Sequence, residues 1–252
     1  MGETTPTRSK YYVGTSGYHY DHWQQSFYPT RLRSHQWLDF YGHHFSTVEL
    51  NNPFYRLPSE STYRNWRDIT PADFLFAIKV SRLITHLKKL RNVEEQLKSF
   101  LQRARILSEK LGPLLYQLPP NMPRSPENEE ALRAFLCRLP QDLQHVFEFR
   151  HQSWLEENTI QTLRQHNMGF CIMDMPSVQC PEVATTDFAY LRFHGSTSLY
   201  SSCYSEEELT GWARKIEELG KGVRATYIYF NNDAMAYAVV NAQRLKEILP
   251  RV

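Results

Sequence analysis

The chain has 252 residues, of which 41% are hydrophobic and 22% are charged, and its formal net charge is +2 at pH 7. This composition supports a packed core and excludes a disordered or fibrous protein. No apolar run approaches the roughly 18–20 residues of a membrane span, so no contact with a membrane is expected. Residues 1–10 are polar and predict a flexible tail rather than a signal peptide, and residues 11–252 predict a single domain.

Eight runs rich in β-branched and aromatic residues have the length of strands and end at turn or polar residues. They are 11–16, 47–51, 74–80, 114–118, 145–150, 169–174, 189–194 and 225–231. Helix start signals separate them: Asn92 with Glu95, Ser125-Pro126, Ser153 with Glu156, Ser205 with Glu208, and Asp233. The apolar stripe that begins at Val93 is predicted to end at Gly112. The stretch 175–188 is too short and irregular for a full helix.

Eight strands that alternate with about seven helices indicate βαβ units and a parallel sheet. An open doubly wound sheet would give a similar pattern, but the count of eight favours closure. The sequence therefore predicts an α/β protein with a single (β/α)₈ TIM-like barrel whose helix after strand six is shortened or missing.

Polar residues concentrate at the carboxyl ends of these strands, where TIM barrels carry their active sites. A charged side chain inside an apolar strand is costly unless it is paired or hydrated, so this repetition favours a site. We expect acid–base catalysts at Glu49, Glu148, Asp174 and His194. The substrate-binding candidates are Tyr18, His19, Asn51, Lys79, Gln117, Arg150, His151, Arg192, Tyr229, Asn231 and Asn232. Any single member could instead be structural, for example Glu49 or Glu148 bridged to Arg192.

The cations and the helix start after strand eight favour a small anionic or sugar-like ligand, with no cofactor predicted. The chain is 13% aromatic. Six tyrosines on or near loops are predicted to surround the mouth of the barrel: Tyr18, Tyr20, Tyr28, Tyr55, Tyr204 and Tyr229. Four cysteines without a C-x-x-C pair indicate reduced thiols, and we expect a cytoplasmic protein. The low charge permits a monomer and leaves the oligomeric state open.

Several motifs together resemble a known family. They are Gly14-Thr15-Ser16-Gly17, Thr47-Val48-Glu49-Leu50-Asn51, Ile84-Thr85-His86, Gln117-Leu118-Pro119-Pro120, Glu148-Phe149-Arg150-His151, Arg192-Phe193-His194-Gly195 and Tyr229-Phe230-Asn231-Asn232-Asp233. The sequence resembles domain of unknown function 72, the YecE-like proteins, over about residues 11–249. The resemblance implies a TIM-like barrel and supplies no reaction. Ser196 stands where the family often has arginine, which removes one cation from the mouth.

Two other functions remain open beside a metal-independent enzyme. Glu49, Glu148, Asp174 and His194 could converge on a divalent metal, as in an isomerase or nuclease of the xylose-isomerase-like barrel type, although no local ligand motif is present. A nucleic-acid-binding module is the third alternative. It would use the basic cluster Arg82, His86, Lys88, Lys89 and Arg91. A net charge of +2 is low for such a protein, and a solvated loop explains the cluster better.

Overall fold

The computed structural model of the protein describes residues 9–250. Eight parallel strands form one sheet in the order β1-β8-β7-β6-β5-β4-β3-β2. The strands are β1 (Lys10–Thr15), β2 (Thr47–Leu50), β3 (Leu75–Lys79), β4 (Leu111–Leu118), β5 (His145–Phe149), β6 (Gly169–Asp174), β7 (Phe188–Phe193) and β8 (Ala225–Phe230). A bridge between Ser16 and Glu49 joins the two outermost strands. The predicted barrel is therefore confirmed.

Helices connect the strands and cover the outside of the barrel. They are α1 (Trp37–His44), α2 (Asn52–Tyr55), α3 (Glu60–Ile69), α4 (Glu94–Ala104), α5 (Pro126–Leu136), α6 (Glu157–Gln165), α7 (Glu206–Gly220) and α8 (Tyr237–Ile248). The connection from β6 to β7 contains no helix, as the sequence predicts. None of the helices in residues 9–250 is both long and apolar enough to cross a membrane.

The strands alternate between two apolar layers, because successive side chains point to opposite faces of a sheet. Bulky side chains on one face pack against the helices. The other face fills the barrel interior with Ala77, Leu115, Val146, Cys171, Met173, Phe188, Tyr190, Ala225, Tyr227 and Tyr229. This inner layer closes the barrel below the polar strand ends and forms the floor of the mouth.

The seam between β1 and β2 depends on Gly14. A Cβ atom at this position would lie 2.2 Å from the carbonyl oxygen of Thr47. The hydroxyl of Tyr41 bridges the same seam, since it accepts from the Thr15 amide at 3.0 Å and donates to the Thr47 carbonyl at 3.1 Å. Glycine therefore permits the close approach that brings Glu49 beside Ser16.

The helix start signals were only partly correct. Ser125 accepts from the Asn128 amide, and Ser205 forms a capping box with Glu208. Asn92 does not cap α4, whose cap position is Val93, and Gly112 lies inside β4 rather than at a helix end.

Two more residues predicted to cap helices do not do so, because their side chains form tertiary hydrogen bonds instead. Ser153 lies within the short 3₁₀ turn Gln152–Trp154, and α6 begins after Glu156. Asp233 makes no capping bond, because its carboxylate accepts from the Trp23 indole at 2.6 Å.

Of the predicted tail at residues 1–10, residues 1–8 lie outside the described part of the chain. Ser9 and Lys10 are described and do not fit a loose tail. Ser9 is buried and its hydroxyl lies 3.0 Å from that of Thr226, while Lys10 opens β1. The boundary of the barrel is thus earlier than residue 11.

Candidate active site at the barrel mouth

Three fully buried charged side chains from separate strands meet at the mouth. Arg192 on β7 donates from Nη2 to Glu49 Oε1 on β2 at 2.8 Å, and from Nη1 to Glu148 Oε2 on β5 at 2.5 Å. Each of the three side chains is at most 1% exposed. Because an unpaired buried charge is very costly, the two carboxylates and the guanidinium depend on one another.

Each carboxylate also has further donors. Glu49 accepts from the Tyr190 hydroxyl at 2.6 Å and from the Ser16 hydroxyl. Glu148 accepts from Gln117 Nε2 at 2.8 Å and from Arg150 Nε.

These bonds decide the charge of Glu148. Burial alone would raise its pKa, but the positive charges of Arg150 and Arg192 outweigh that effect and hold the pKa well below its usual range. Glu148 is therefore an anion at any physiological pH. The hydrogen bonds of Glu148 agree with the alternative stated above, in which these residues form a structural ion-pair cluster.

His194 is buried beside the same cations. Its Nε2 accepts from Arg150 Nη2 at 3.1 Å, and its Nδ1 lies 3.1 Å from the side-chain amide of Asn231. Burial, together with Arg192 and Arg150, lowers the pKa of His194 well below its usual range. The imidazole is neutral near pH 7 and a weak base, so the predicted proton transfer by His194 finds no support.

Lys79 is the cation of the mouth that has no carboxylate partner among the described residues. It ends β3, and its Nζ lies 4.1 Å from the centre of the Phe54 ring. Burial and the nearby charge of Arg192 lower the pKa of Lys79 to about 8. Three cations, Lys79, Arg150 and Arg192, face the two carboxylates, so the cluster carries one positive charge in excess.

A cavity of about 510 Å³ opens directly above this cluster. It is lined by Gly17, Tyr18, His19, Tyr20, Asn51, Asn52, Tyr55, Lys79, Arg192, Tyr200 and Asn231. None of these residues is acidic. Two polar atoms of the lining residues, Arg192 Nε and Asn51 Oδ1, are buried without a hydrogen-bond partner among the described residues.

The structure thus brings most of the predicted site together. Seven predicted residues meet in or next to the cavity, namely Tyr18, His19, Asn51, Lys79, Arg192, His194 and Asn231. Glu49, Glu148, Gln117 and Arg150 lie beneath it in the ion-pair layer.

Four predicted residues lie elsewhere. Asp174 is on the opposite face of β6 from Cys171 and Met173, and its carboxylate interacts with Tyr204 and Trp212 outside the barrel. His151 caps the turn at Gln152–Trp154.

Tyr229 is buried in the barrel interior, 2.7 Å from the Thr47 hydroxyl, and is part of the floor rather than the rim. Asn232 is also buried and donates to Ser202 O and to Asn241 Oδ1. Of the six tyrosines predicted at the mouth, only Tyr18, Tyr20 and Tyr55 line the cavity, because Tyr28 and Tyr204 are buried like Tyr229.

Three residues of the site were not predicted from the sequence. Tyr190 shares the inward face of β7 with Arg192, and this spacing of two could have revealed it as a partner of Glu49. Asn52 and Tyr200 line the cavity from loops. No strand periodicity points to these two residues.

The two alternative functions find little geometric support. The oxygens of Glu49 and Glu148 already accept from arginines, and Asp174 faces away, so the four proposed metal ligands do not converge. Across residues 9–250, no group of three or more His, Cys, Asp or Glu side chains has metal-binding proximity. In the basic cluster, Lys88, Lys89 and Arg91 donate to backbone carbonyls of Asn92, Asn121 and Glu127, which makes them supports of a loop.

Residues 12–251 match the family described as "Protein of unknown function DUF72". The chain belongs to the DUF72 family. The UPF0759 protein YunF of Bacillus subtilis is 26% identical over 94% of both chains. The UPF0759 protein YecE of Escherichia coli K12 is 32% identical over 54% of this chain and 52% of that protein.

Solved structures of DUF72 proteins show the same fold. One from Thermotoga maritima superimposes with a TM-score of 0.88 and 33% identity, covering 95% of this chain and 98% of that one. Another, from Enterococcus faecalis, gives a TM-score of 0.81 at 20% identity and covers 96% of each chain. These DUF72 relatives support the barrel and name no reaction.

Proposed function

We propose that this DUF72 protein is an enzyme that acts, without a metal ion, on a small polar molecule with an anionic group, bound in the mouth of the barrel. One observation carries the proposal. The cavity is lined by Lys79 and Arg192 but by no acidic residue, and Lys79 has no carboxylate partner within the described chain. A cation left unpaired in a partly buried cavity favours a negatively charged ligand.

The buried carboxylates serve this site as positioning groups. Glu49 and Glu148 hold Arg192 from two sides, so its guanidinium has one orientation and loses no freedom when a ligand arrives.

In this proposal, Lys79 transfers protons in place of the carboxylates and His194, which the sequence predicts as the catalysts. Glu148 stays ionised and His194 stays neutral near pH 7, whereas the pKa of Lys79 is lowered to about 8 by burial and by Arg192. A group whose pKa lies near the working pH is the more effective general acid or base. The tyrosines Tyr18, Tyr20 and Tyr55 offer faces for a sugar-like ring.

Calorimetric titration with sulfate tests the anion site, because sulfate keeps its charge between pH 6 and 9. We expect one site per chain and a loss of about tenfold or more in affinity for Lys79→Met, since a charge-assisted contact is worth about 1.5–3 kcal/mol. Lys98→Met changes an exposed lysine on α4 and should bind as the wild type does. Binding that is absent in the wild type, or equal in Lys79→Met, would refute the anion site.

Turnover requires a second measurement. Phosphorylated and carboxylated sugars would be incubated with the wild type and with Lys79→Met, with and without a chelator, and followed by mass spectrometry. The proposal expects conversion by the wild type that persists after chelation and falls in the variant. Inertness towards the panel while sulfate still binds would leave a binding protein and reject the enzyme.

A further inference from the structure

Lys79 is the lysine that lines the cavity at the mouth, within the part of the chain that the structure describes. It is half-buried at the end of a barrel strand, and its amine lies over the Phe54 ring with no carboxylate within ion-pair distance. Lys215 and Lys221, by contrast, each pair with a glutamate at 2.5 Å on the surface. The amine therefore lies over an aromatic ring, at the end of a strand that opens onto the cavity.

The charges around this amine come from every side of the mouth. Arg192 on β7, Arg150 after β5 and His86 after β3 face it, as do the carboxylates Glu49 and Glu148, which the two arginines already neutralise. Desolvation and the arginines oppose the ammonium form, while the Phe54 ring favours it. With the pKa of Lys79 lowered to about 8, a much larger fraction of the amine is unprotonated at pH 7.4 than in an ordinary lysine.

We propose that the Lys79 amine is a nucleophile that forms an imine with the carbonyl carbon of a small anionic aldehyde or keto acid. This inference rests on the proposed anion site, since Arg192, which lines the cavity, would attract the anionic group while the carbonyl meets Nζ. A desolvated lysine beside other cations is a general means of activating an amine for this chemistry.

The step balances without an external oxidant or reductant. The Nζ lone pair attacks the carbonyl carbon, the C=O π electrons move to oxygen, and a proton passes from nitrogen to oxygen to give a carbinolamine. The nitrogen then expels this oxygen as water after it gains a second proton, and a C=N bond forms. The neutral amine, the carbonyl and one proton taken from solvent thus yield an iminium ion and water. The positive iminium would lie beside the ligand's own negative group.

Reductive trapping tests the proposal on the full chain. The protein is incubated at pH 7.4 with glyoxylate and sodium cyanoborohydride, digested and analysed by mass spectrometry for the modified lysine. We expect modification of Lys79 at least tenfold faster than that of Lys98, with a rate that rises through about pH 8. Sulfate should slow the labelling of Lys79 and leave that of Lys98 unchanged.

Lys79→Arg separates this proposal from the anion site, because it keeps the positive charge and removes the nucleophile. We expect it to retain sulfate binding within about threefold and to show no rapid adduct. Labelling of Lys79 no faster than that of Lys98, with sulfate binding intact, would overturn the nucleophile and leave the anion site standing. Loss of both sulfate binding and labelling in the wild type would overturn both proposals.

Discussion

Replacing Glu148 by glutamine tests whether the buried carboxylates stabilise the mouth. The variant keeps the shape of the side chain but leaves Arg192 and Arg150 with one fewer negative charge, both of them close to Glu148 and at most 11% exposed. Breaking a buried ion pair by removing one partner costs about 3–5 kcal/mol. We therefore expect Glu148→Gln to lower the free energy of unfolding in urea by about this amount, with little change in m-value.

The pH dependence of this loss has a definite sign. Because the arginines hold the pKa of Glu148 below its unfolded value, its contribution is fully present above the unfolded pKa of about 4.3 and disappears as the pH falls through the folded value. The deficit of the variant should be constant from pH 5 to 8 and shrink in more acidic buffers. Glu182→Gln, which breaks the exposed pair with Lys215, is the matched control and should cost less than about 1 kcal/mol. A loss below about 1 kcal/mol for Glu148→Gln at pH 7 would refute the interdependence of these charges.

Two further substitutions and labels test the barrel itself. In urea unfolding, Gly14→Ala should destabilise the protein by about 1–3 kcal/mol or more, because its Cβ would lie 2.2 Å from the Thr47 carbonyl oxygen. Gly211→Ala on α7 is the control: its Cβ would meet no atom within 4 Å, so the substitution should be neutral or stabilising in the same measurement. A thiol reagent should modify exposed Cys137 quickly but reach Cys171 only on unfolding, since burial raises the pKa of Cys171 well above its usual value. Rapid labelling of Cys171 under native conditions would contradict the packed barrel interior.

The period of two along a parallel strand explains how much of the site the sequence could predict. Once eight strands are recognised, residues at their carboxyl ends must gather at one mouth, which is why Glu49, Glu148 and Arg192 were found. The same periodicity could have excluded Asp174, which has the spacing of the outward residues Phe170 and Ile172. The position of a side chain along the barrel axis is harder to predict, because Tyr229 and Asn231 share a face while only Asn231 of the two reaches the cavity.

Pairing between distant strands is what the sequence could not supply. Whether Glu148 meets a cation, a substrate or a metal depends on side chains from β4, β5 and β7 that lie more than 30 residues apart. Local cap signals fail for a related reason. Asp233 has the residue type and position of an N-cap, yet Trp23, 210 residues away along the chain, donates to its carboxylate instead.

The arrangement of charges at the mouth separates rigidity from reactivity. Glu49 and Glu148 both form ion pairs with Arg192, so neither carboxylate is available to pair with Lys79. A single acidic residue beside Lys79 would raise its pKa and neutralise the cavity, which would weaken the anion site and the reactivity of the amine together. If the network serves to keep Lys79 unpaired, Glu49 and Glu148 matter to function through what they hold in place rather than through any proton they transfer.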